Sequence, residues 1–369
     1  MNIRFIIIAT VLFLIVLLSE YVTYISLHTA GIISSARVEV ILMSLGIIFP
    51  LIFIFSMLYS YKHYSVFNSW LNTISSIWLG ILLYVFIASV IVALLILLNY
   101  YFGFMIPVKI ISGILIILTL ALITYGVINA DNPRIVKWDV TSEKLSKDWS
   151  GKKIIMISDV HLGTMRGEGF LKKIVNKINK ENPDIVFIVG DLIDGSSFPY
   201  EEWLSEFSLL KPQYGILYVE GNHEKYSQEY EKFKSALPPS ISNLSNKKVI
   251  INNTQIIGLD YKMYELDNEI NKELETLQYD KNQSSIILIH DPRNNSDLSR
   301  EGASLILSGH THNGQLFPGT LLIDGTYKQY AHGVSYTGST AAVTGAGVGT
   351  AVIPIRIGTI PEIVELTIK

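Results

Sequence analysis

The chain of 369 residues contains no cysteine. This absence excludes disulfide bonds, thiolate zinc sites and cysteine nucleophiles from its chemistry. It does not identify the redox compartment, because a cysteine-free chain is viable on either side of a membrane. Charged residues are also scarce, at 17% of the chain, which is low for a soluble protein.

The scarcity of charge is confined to the first 130 residues. Only six charged residues lie there: Arg4, Glu20, Arg37, Glu39, Lys62 and Lys109. From Asp131 onward the chain carries 25 basic and 30 acidic residues. This second part has no basic surplus, so nucleic-acid binding is not expected.

Four apolar segments in the first part are long enough to cross a bilayer as helices, near residues 3–24, 40–61, 74–98 and 106–128. A cleaved signal peptide followed by a buried helical domain is the alternative. The first segment is too long for a typical signal core and lacks a clear small-residue cleavage site. We therefore predict a multi-pass, all-α transmembrane region over 1–130, a linker over 131–152 and a water-soluble domain over 153–369.

The distribution of basic residues predicts the orientation in the cell membrane. With four spans, both chain ends lie on one side, together with Arg4, Lys62, Arg134 and Lys137. The opposite side carries only Arg37 and Lys109. The positive-inside rule then favours a cytoplasmic location for the soluble domain, although a change of one span would reverse it.

The soluble part alternates apolar, β-branched runs with helical patterns, which predicts an α/β fold with helices on both sheet faces. Strands are expected at 153–158, 184–189, 215–219, 255–259, 285–289 and 304–307, after a lead-in strand at 135–140. Helices are expected at 169–182, 201–210 and 228–237. From Ile323 onward, strands at 352–356 and 363–368 predict a second, more antiparallel sheet.

Five clusters of potential metal ligands follow predicted strands directly. They are Asp159-Val160-His161, Gly190-Asp191-Leu192-Ile193-Asp194, Gly221-Asn222-His223-Glu224, His290-Asp291 and Gly309-His310-Thr311-His312. Strand ends gather side chains into one crevice in an α/β fold. Carboxylates and neutral imidazoles bind Mn, Fe and Zn ions, and two such ions can clamp the attacking and leaving oxygens of a displacement at phosphorus.

These motifs, in this order, resemble those of the calcineurin-like metallophosphoesterase superfamily over about residues 153–369. The run Gly-His-Thr-His-Asn-Gly-Gln, together with Pro361-Glu362-Ile363, is similar to a bacterial branch of membrane-attached predicted phosphohydrolases. Asn313 departs from that branch, which usually has glycine there, but the change removes no ligand.

The resemblance implies a four-layer α/β/β/α sandwich and two divalent metal ions: Mn, Fe, Zn or a mixed pair. One ion would be held by Asp159, His161, Asp191 and His312, and the other by Asp191, Asn222, His290 and His310. His223 would protonate the leaving oxygen, a task suited to a group with a pKa near working pH. Asp194 would orient the site.

The expected function is hydrolysis of a phosphate ester, either a monoester or a diester. Location at a lipid bilayer favours a lipid or cell-envelope substrate. Two alternatives stay open: a phosphodiesterase for soluble nucleotides, and a non-catalytic membrane receptor or scaffold that retains the fold. A transporter with a regulatory domain is disfavoured by the uncharged spans, and the sequence does not define an oligomeric state.

Several neighbouring residues have simpler expected roles. Glu224 either orients His223 or is an ordinary helix-start carboxylate. Arg356 is expected to be a plain strand residue and not a phosphate ligand. His332 is expected to lie in a surface loop, and Asp260 and Asp291 are expected to be structural.

Overall fold

The computed structural model of the chain describes residues 19–32, 35–261 and 269–369. The chain divides into two compact units. Unit 1 comprises Met1–Tyr59 and Val66–Ile128, and unit 2 comprises Ser60–Ser65 and Asn129–Lys369. Most of the predicted first span lies outside the described residues, although positions 19–29 are helical.

Three long apolar helices make up the described core of the N-terminal region: α1 (Ala36–Ser60), α2 (Val66–Phe102) and α3 (Val108–Ala130). By length and composition each could cross a membrane. The predicted segments at 40–61, 74–98 and 106–128 are thus confirmed as helices. The buried side chains of α2 include several small polar ones, among them Asn72, Ser75, Ser76 and Ser89.

Twelve strands are described in unit 2: β1 (Arg134–Val140), β2 (Lys153–Ile157), β3 (Ile185–Val189), β4 (Ile216–Val219), β5 (Ile241–Asn243), β6 (Lys247–Ile251), β7 (Thr254–Leu259), β8 (Ser285–Ile289), β9 (Leu305–Ser308), β10 (Gly333–Thr337), β11 (Thr340–Thr344) and β12 (Glu362–Ile368). The described α-helices of this unit are α4 (Glu168–Glu181), α5 (Tyr200–Leu204), α6 (Asn222–Tyr226), α7 (Tyr230–Ser235), α8 (Glu269–Thr276), α9 (Asn295–Arg300) and α10 (Gly319–Tyr327).

The strands form two mixed six-stranded sheets. The first has the order β1-β12-β2-β3-β4-β5, and the second has the order β10-β11-β9-β8-β7-β6. Strands β2 to β5 are parallel, and so are β11, β9, β8 and β7. Their carboxyl ends therefore collect at one edge of each sheet, where α/β folds usually carry their sites.

The sheets pack face to face and helices cover their outer faces. Phe187 of the first sheet and Leu288 of the second belong to one buried cluster between the sheets. Helix α4 places Leu171 and Ile174 against the outer face of the first sheet. Leu274 of α8 packs in a third cluster on the outer face of the second. The predicted α/β/β/α layering is thus confirmed.

The C-terminal strands differ from the sequence prediction. Along the chain, the second sheet starts already at β6 and not after Ile323. The last strand, β12, lies in the first sheet, between β1 and β2. Sequence order favours pairing with recent neighbours, but the nearly continuous burial along β12 suits a central strand. The predicted strand at 352–356 was wrong, because residues 352–354 form bends and residues 355–356 are irregular.

The segment predicted as a linker is largely folded. Strand β1 pairs with β12 along its whole length, from Arg134 opposite Glu362 to Val140 opposite Ile368. The Trp149 side chain is fully buried, and its indole N–H donates to the Thr254 hydroxyl at 2.9 Å. Segment 131–152 therefore contributes to both the first sheet and the core.

Candidate metal centre

The structure gathers all five ligand clusters at one edge of unit 2. Asp159 and Asp191 follow the parallel strands β2 and β3, and Asn222 begins α6 just after β4. His290 and His310 follow β8 and β9 of the facing sheet. The crevice therefore receives ligands from both sheets, because both present the carboxyl ends of parallel strands there.

Five of these residues have an unusual backbone conformation. Positive φ angles of 49–69° occur at Asp159, His161, Asp191, His310 and His312. Residues with a β-carbon rarely adopt this left-handed region, and such strain concentrates at functional sites, where the surroundings enforce it. These turns aim consecutive side chains at a common point.

One group of potential ligand atoms comes from Asp159, His161 and His312, whose ligand atoms lie within 4.8 Å of one another. The Nε2 atoms of His161 and His312 are 3.1 Å apart. His312 Nε2 is also 3.4 Å from Asp159 Oδ1. All three side chains are buried, so their polar atoms converge in a place shielded from water.

A second group consists of Asp191, His290 and His310. Asp191 Oδ2 is 3.1 Å from His290 Nε2, and His290 Nε2 is 3.3 Å from His310 Nδ1. Asp191 also forms a group with His161 and His223. The Asp191 carboxylate thus lies within reach of both sets of imidazoles, as a residue shared by two ions must.

Two buried polar atoms here have no hydrogen-bond partner: Asn222 Oδ1 and His161 Nδ1. A buried oxygen without a partner is costly unless something absent from the protein atoms satisfies it. An amide oxygen is a suitable ligand for a divalent cation. The residues present therefore fit a metal site.

The charges of the site respond to burial and to one another. Burial raises the pKa of Asp159 to about 6. Burial opposes ionisation of Asp191 as well, but the adjacent His290 and His223 hold the Asp191 pKa well below its usual value. In return, Asp191 raises the pKa of His290 to about 10 against the effect of burial.

Three other histidines of the site are held in the neutral form that binds metals. Burial lowers the pKa values of His161 and His312 well below the usual histidine value. Burial, together with the nearby His290, lowers the pKa of His310 to about 4. Neutral imidazole is the ligand form, so these three side chains need release no proton to bind a cation.

His223 lies beside the ligand groups and not inside either of the two main ones. Its backbone N–H donates to Asp191 Oδ1 at 2.8 Å, and its ring stands edge-on to His161 with centroids 4.6 Å apart. Ring atom Nδ1 is 3.0 Å from the Asp194 carbonyl oxygen. Although burial opposes it, the Asp191 charge raises the pKa of His223, which favours the proton-carrying form.

The Asp194 side chain shapes the loop that carries this carbonyl. Its carboxylate accepts hydrogen bonds from the Ser196 backbone N–H at 2.7 Å and the Thr164 backbone N–H at 3.1 Å. Asp194 therefore contacts His223 through its main chain, while its side chain ties together the turns after β2 and β3.

Glu224 organises the Asp191 turn, a role that the sequence reasoning missed. Its buried carboxylate accepts backbone N–H groups from four residues, at 2.6–3.1 Å: Asp191, Leu192, Ile193 and Gly221. Both roles considered from the sequence involve only residues next to Glu224 in the chain. The carboxylate does cap the start of α6, but it also fixes the preceding ligand loop.

Arg356 is neither a strand residue nor exposed to a substrate. Its guanidinium is fully buried and donates to several carbonyls, including those of Ala346, Gly349 and His312. It also lies 3.3 Å from His312 Nδ1. The glycine-rich run 345–349 was the available signal, because close-packed backbone carbonyls need a donor to satisfy them.

The other residues considered from sequence make structural pairs. His332 Nε2 lies 2.9 Å from Glu362 Oε2, so it is tied to β12 and not simply part of a surface loop. Asp260 pairs with Lys225 at 3.1 Å. Asp291 pairs with Arg293, and its Oδ2 is also 3.3 Å from His310 Nε2.

Glycines in the motifs allow these close approaches. A β-carbon at Gly190 would lie 2.3 Å from His290 Nδ1, and one at Gly221 would lie 2.2 Å from Asp191 Oδ1. Neither contact is physically possible, so the glycines before Asp191 and Asn222 are required by the packing of the ligands.

Comparison with known proteins gives a consistent family assignment. The sequence profile described as calcineurin-like phosphoesterase matches residues 152–314. An uncharacterised metallophosphoesterase of Campylobacter jejuni is 32% identical over 69% of this chain and 68% of its own length. A Danio rerio protein described as a transmembrane protein with a metallophosphoesterase domain is 31% identical over 69% of this chain and 62% of its own length.

These relatives extend beyond the matched regions. The chain spans about three fifths to two thirds of their lengths. Among solved structures, TT1561 of Thermus thermophilus aligns with a TM-score of 0.35 and 14% identity over 55% of this chain and 90% of that one. A similarity this weak adds nothing to the assignment made from sequence.

Proposed function

We propose that this chain, which belongs to the calcineurin-like metallophosphoesterase family, is a membrane-anchored hydrolase of phosphate esters that depends on two divalent metal ions. The observation that carries this proposal is the position of Asp191, which lies within reach of both groups of ligand atoms. A carboxylate shared by two ions is the element that distinguishes a dinuclear site from two separate sites.

We assign Asp159, His161, Asp191 and His312 to one ion. The other would be held by Asp191, Asn222, His290 and His310. Convergence of the ligand atoms, left-handed turns and the unpartnered Asn222 oxygen support this assignment. When bound, such ions acidify water and neutralise charge on the phosphate. The oxygen- and nitrogen-rich ligand set suits Mn, Fe, Zn or a mixed pair.

His223 is the proposed proton donor for the leaving oxygen of the substrate. It adjoins both groups, and its raised pKa keeps it protonated more readily than a free histidine. The Asp194 carbonyl accepts from ring Nδ1, which would leave Nε2 as the ring atom that donates to the substrate. Asp194 is thus proposed to orient the site through its backbone.

Multi-pass insertion in the cell membrane, with unit 2 on the cytoplasmic side, is part of the same proposal. Three described helices have the required length and hydropathy. Lys62, Arg134 and Lys137 would lie on the side of unit 2, against Arg37 and Lys109 on the other. The cysteine-free chain allows a test by labelling Lys62→Cys and Lys109→Cys with an impermeant maleimide in intact cells: reaction at position 109 alone is expected.

The proposed activity is tested with the full chain in detergent, stripped of metal and reloaded with Mn²⁺. Hydrolysis of bis-p-nitrophenyl phosphate and p-nitrophenyl phosphate would be measured for the unsubstituted chain, Asp191→Asn and the matched surface variant Asp139→Asn. We expect metal-dependent turnover of at least one ester. Asp191→Asn should lower it at least about 10³-fold, whereas Asp139→Asn should not change it.

The alternatives predict different results. A receptor that retains the fold would bind metal but hydrolyse neither ester nor any lipid phosphate. An enzyme for soluble nucleotides would turn over cyclic or linear nucleotides more efficiently than lipid esters. Turnover that survives Asp191→Asn would contradict the shared-carboxylate site itself.

A further inference from the structure

Two short segments of unit 2 adjoin the ends of the apolar helices. Residues 60–65 connect α1 to α2, and residues 129–133 lead from the end of α3 to β1. If these helices cross a bilayer as proposed above, both segments lie at its surface. The chain can extend at most about 14 Å from Ala130 to Arg134, so the start of β1 is close to that surface as well.

The first segment contacts the turn that follows Asp191. The Ser60 carbonyl oxygen accepts the Ser197 backbone N–H at 2.8 Å. The Tyr64 ring stands edge-on to Trp203, with centroids 5.3 Å apart. Burial and the charge of Asp194 raise the pKa of Tyr61. This membrane-end segment therefore lies beside the loop that carries Asp194.

The second segment contacts the turn after His161 and the segment 356–359, whose Arg356 side chain donates to the His312 carbonyl. The Asn129 side-chain amide donates to the carbonyls of Arg356 and Thr359 at 3.1 and 2.8 Å. Arg166, five residues after His161, donates to the Ala130 carbonyl at 3.0 Å. Both membrane-end segments thus touch the edge of unit 2 that carries the metal centre.

An apolar surface lies at the same edge. The exposed fractions of Phe317, Leu321 and Leu322 are 49%, 61% and 74%, and no residue of α10 is buried. The Phe317 backbone N–H donates to the carbonyl of Ile357. In sequence, Ile357 lies between Arg356 and Thr359, whose carbonyls accept from Asn129. We call these three side chains the apolar patch; large exposed aliphatic groups beside a site mark an interaction surface.

We propose that the metal-centre edge of unit 2 faces the bilayer, that the apolar patch inserts among lipids, and that the substrate is a membrane-lipid phosphate ester. This inference rests on the proposed function for its chemistry. Its geometry rests on two independent features: the membrane-end segments and the patch. The lipid tail would remain in the bilayer while the headgroup phosphate reaches the crevice.

The orientation is tested without measuring activity. Because the chain has no cysteine, a nitroxide can be attached at Leu321→Cys, Leu322→Cys or the control Leu209→Cys. Leu209 is 57% exposed. Its carbonyl accepts from the side chain of Asn179, near the C-terminal end of α4. Because α4 ends just before β3 begins, Leu209 lies away from the edge that carries the metal centre. The labelled full-length chains would be placed in nanodiscs of palmitoyl-oleoyl phosphatidylglycerol.

Collision of the nitroxide with oxygen, relative to a water-soluble nickel chelate, reports insertion in lipid. We expect this ratio to be at least about threefold higher at positions 321 and 322 than at 209. Equal ratios at the three positions would overturn the proposed orientation, whatever the activity of the chain.

The substrate class is tested with two esters that share one reacting group, hexadecyl and ethyl p-nitrophenyl phosphate. We expect the full chain in nanodiscs to prefer the hexadecyl ester. The double variant Leu321→Gln/Leu322→Gln should lower the ratio of the two turnover rates about tenfold, and Leu209→Gln should leave it unchanged.

Preference for the ethyl ester, or an unchanged ratio in the double variant, would overturn the lipid assignment. Absence of metal-dependent turnover of every ester would instead contradict the proposed function. The nitroxide measurement would still decide which edge of unit 2 meets the bilayer, so the two failures are distinguishable.

Discussion

The two parts of this chain bury opposite kinds of side chain. Helix α2 buries Asn72 and Ser75 while Leu94 and Leu97 are 55% and 49% exposed. Strand β3 in unit 2 is apolar and buried along its whole length. The exposed apolar surface of α2 suits a lipid environment, whereas the buried apolar strands of unit 2 suit water.

Two features that run against the apolar burial of unit 2 lie together at the metal-centre edge. It buries a cluster of aspartates and histidines, and it exposes Leu321 and Leu322. Burying charged groups and exposing aliphatic surface are both costly in water. Their coincidence separates the functional edge from the rest of the unit.

The largest expected effect comes from changing the polar interior without removing a ligand. His223→Asn should lower turnover by about 10²–10⁴-fold, because general acid catalysis is lost, while metal content is unchanged. Rates and metal content by mass spectrometry would be measured together. The matched variant His332→Asn should keep full turnover, and loss of metal in His223→Asn would show instead that His223 is a ligand.

The same substitution in the two parts sharpens the comparison. Leu288→Ala opens a cavity between the sheets and should lower the free energy of unfolding by about 2–5 kcal/mol. Leu94→Ala removes exposed surface from α2 and should cost less than about 1 kcal/mol in detergent. Thermal and denaturant unfolding of both variants measure the change in the free energy of unfolding. Equal losses would show that Leu94 packs against protein and not only against lipid.

Much of this architecture follows from local sequence patterns. Strand ends and ligand motifs are visible because apolar runs and the adjacent Asp, His and Gly residues lie within a few positions of one another. The pairing of β12 with β1 and β2, and the contacts of Arg356, depend on residues far apart in sequence. No periodicity encodes such contacts, so these features required the structure.

A smaller effect is expected from Glu224→Gln. The amide has one acceptor oxygen where the carboxylate has two, so some of the four backbone N–H groups lose a partner. We expect a loss of about 1–3 kcal/mol in unfolding free energy and metal affinity weakened about 10–100-fold. Glu231→Gln, on α7, is the control; unchanged metal affinity in Glu224→Gln would contradict the positioning role.

The smallest expected effect concerns residues 60–65. Tyr64→Ala removes the edge-on contact with Trp203 and should destabilise unit 2 by about 0.5–1.5 kcal/mol. Proteolysis of the full chain in detergent would detect this loss. A fragment of residues 131–369 lacks the whole segment and should be less stable still; equal stability would show that the segment contributes nothing.

The most direct test of the central claim is electron paramagnetic resonance of the Mn²⁺-loaded full chain. Two ions sharing the Asp191 carboxylate would couple and broaden or split the spectrum, and Asp191→Asn would abolish that coupling. An uncoupled six-line spectrum from the unsubstituted chain, with one ion bound per chain, would contradict the dinuclear site.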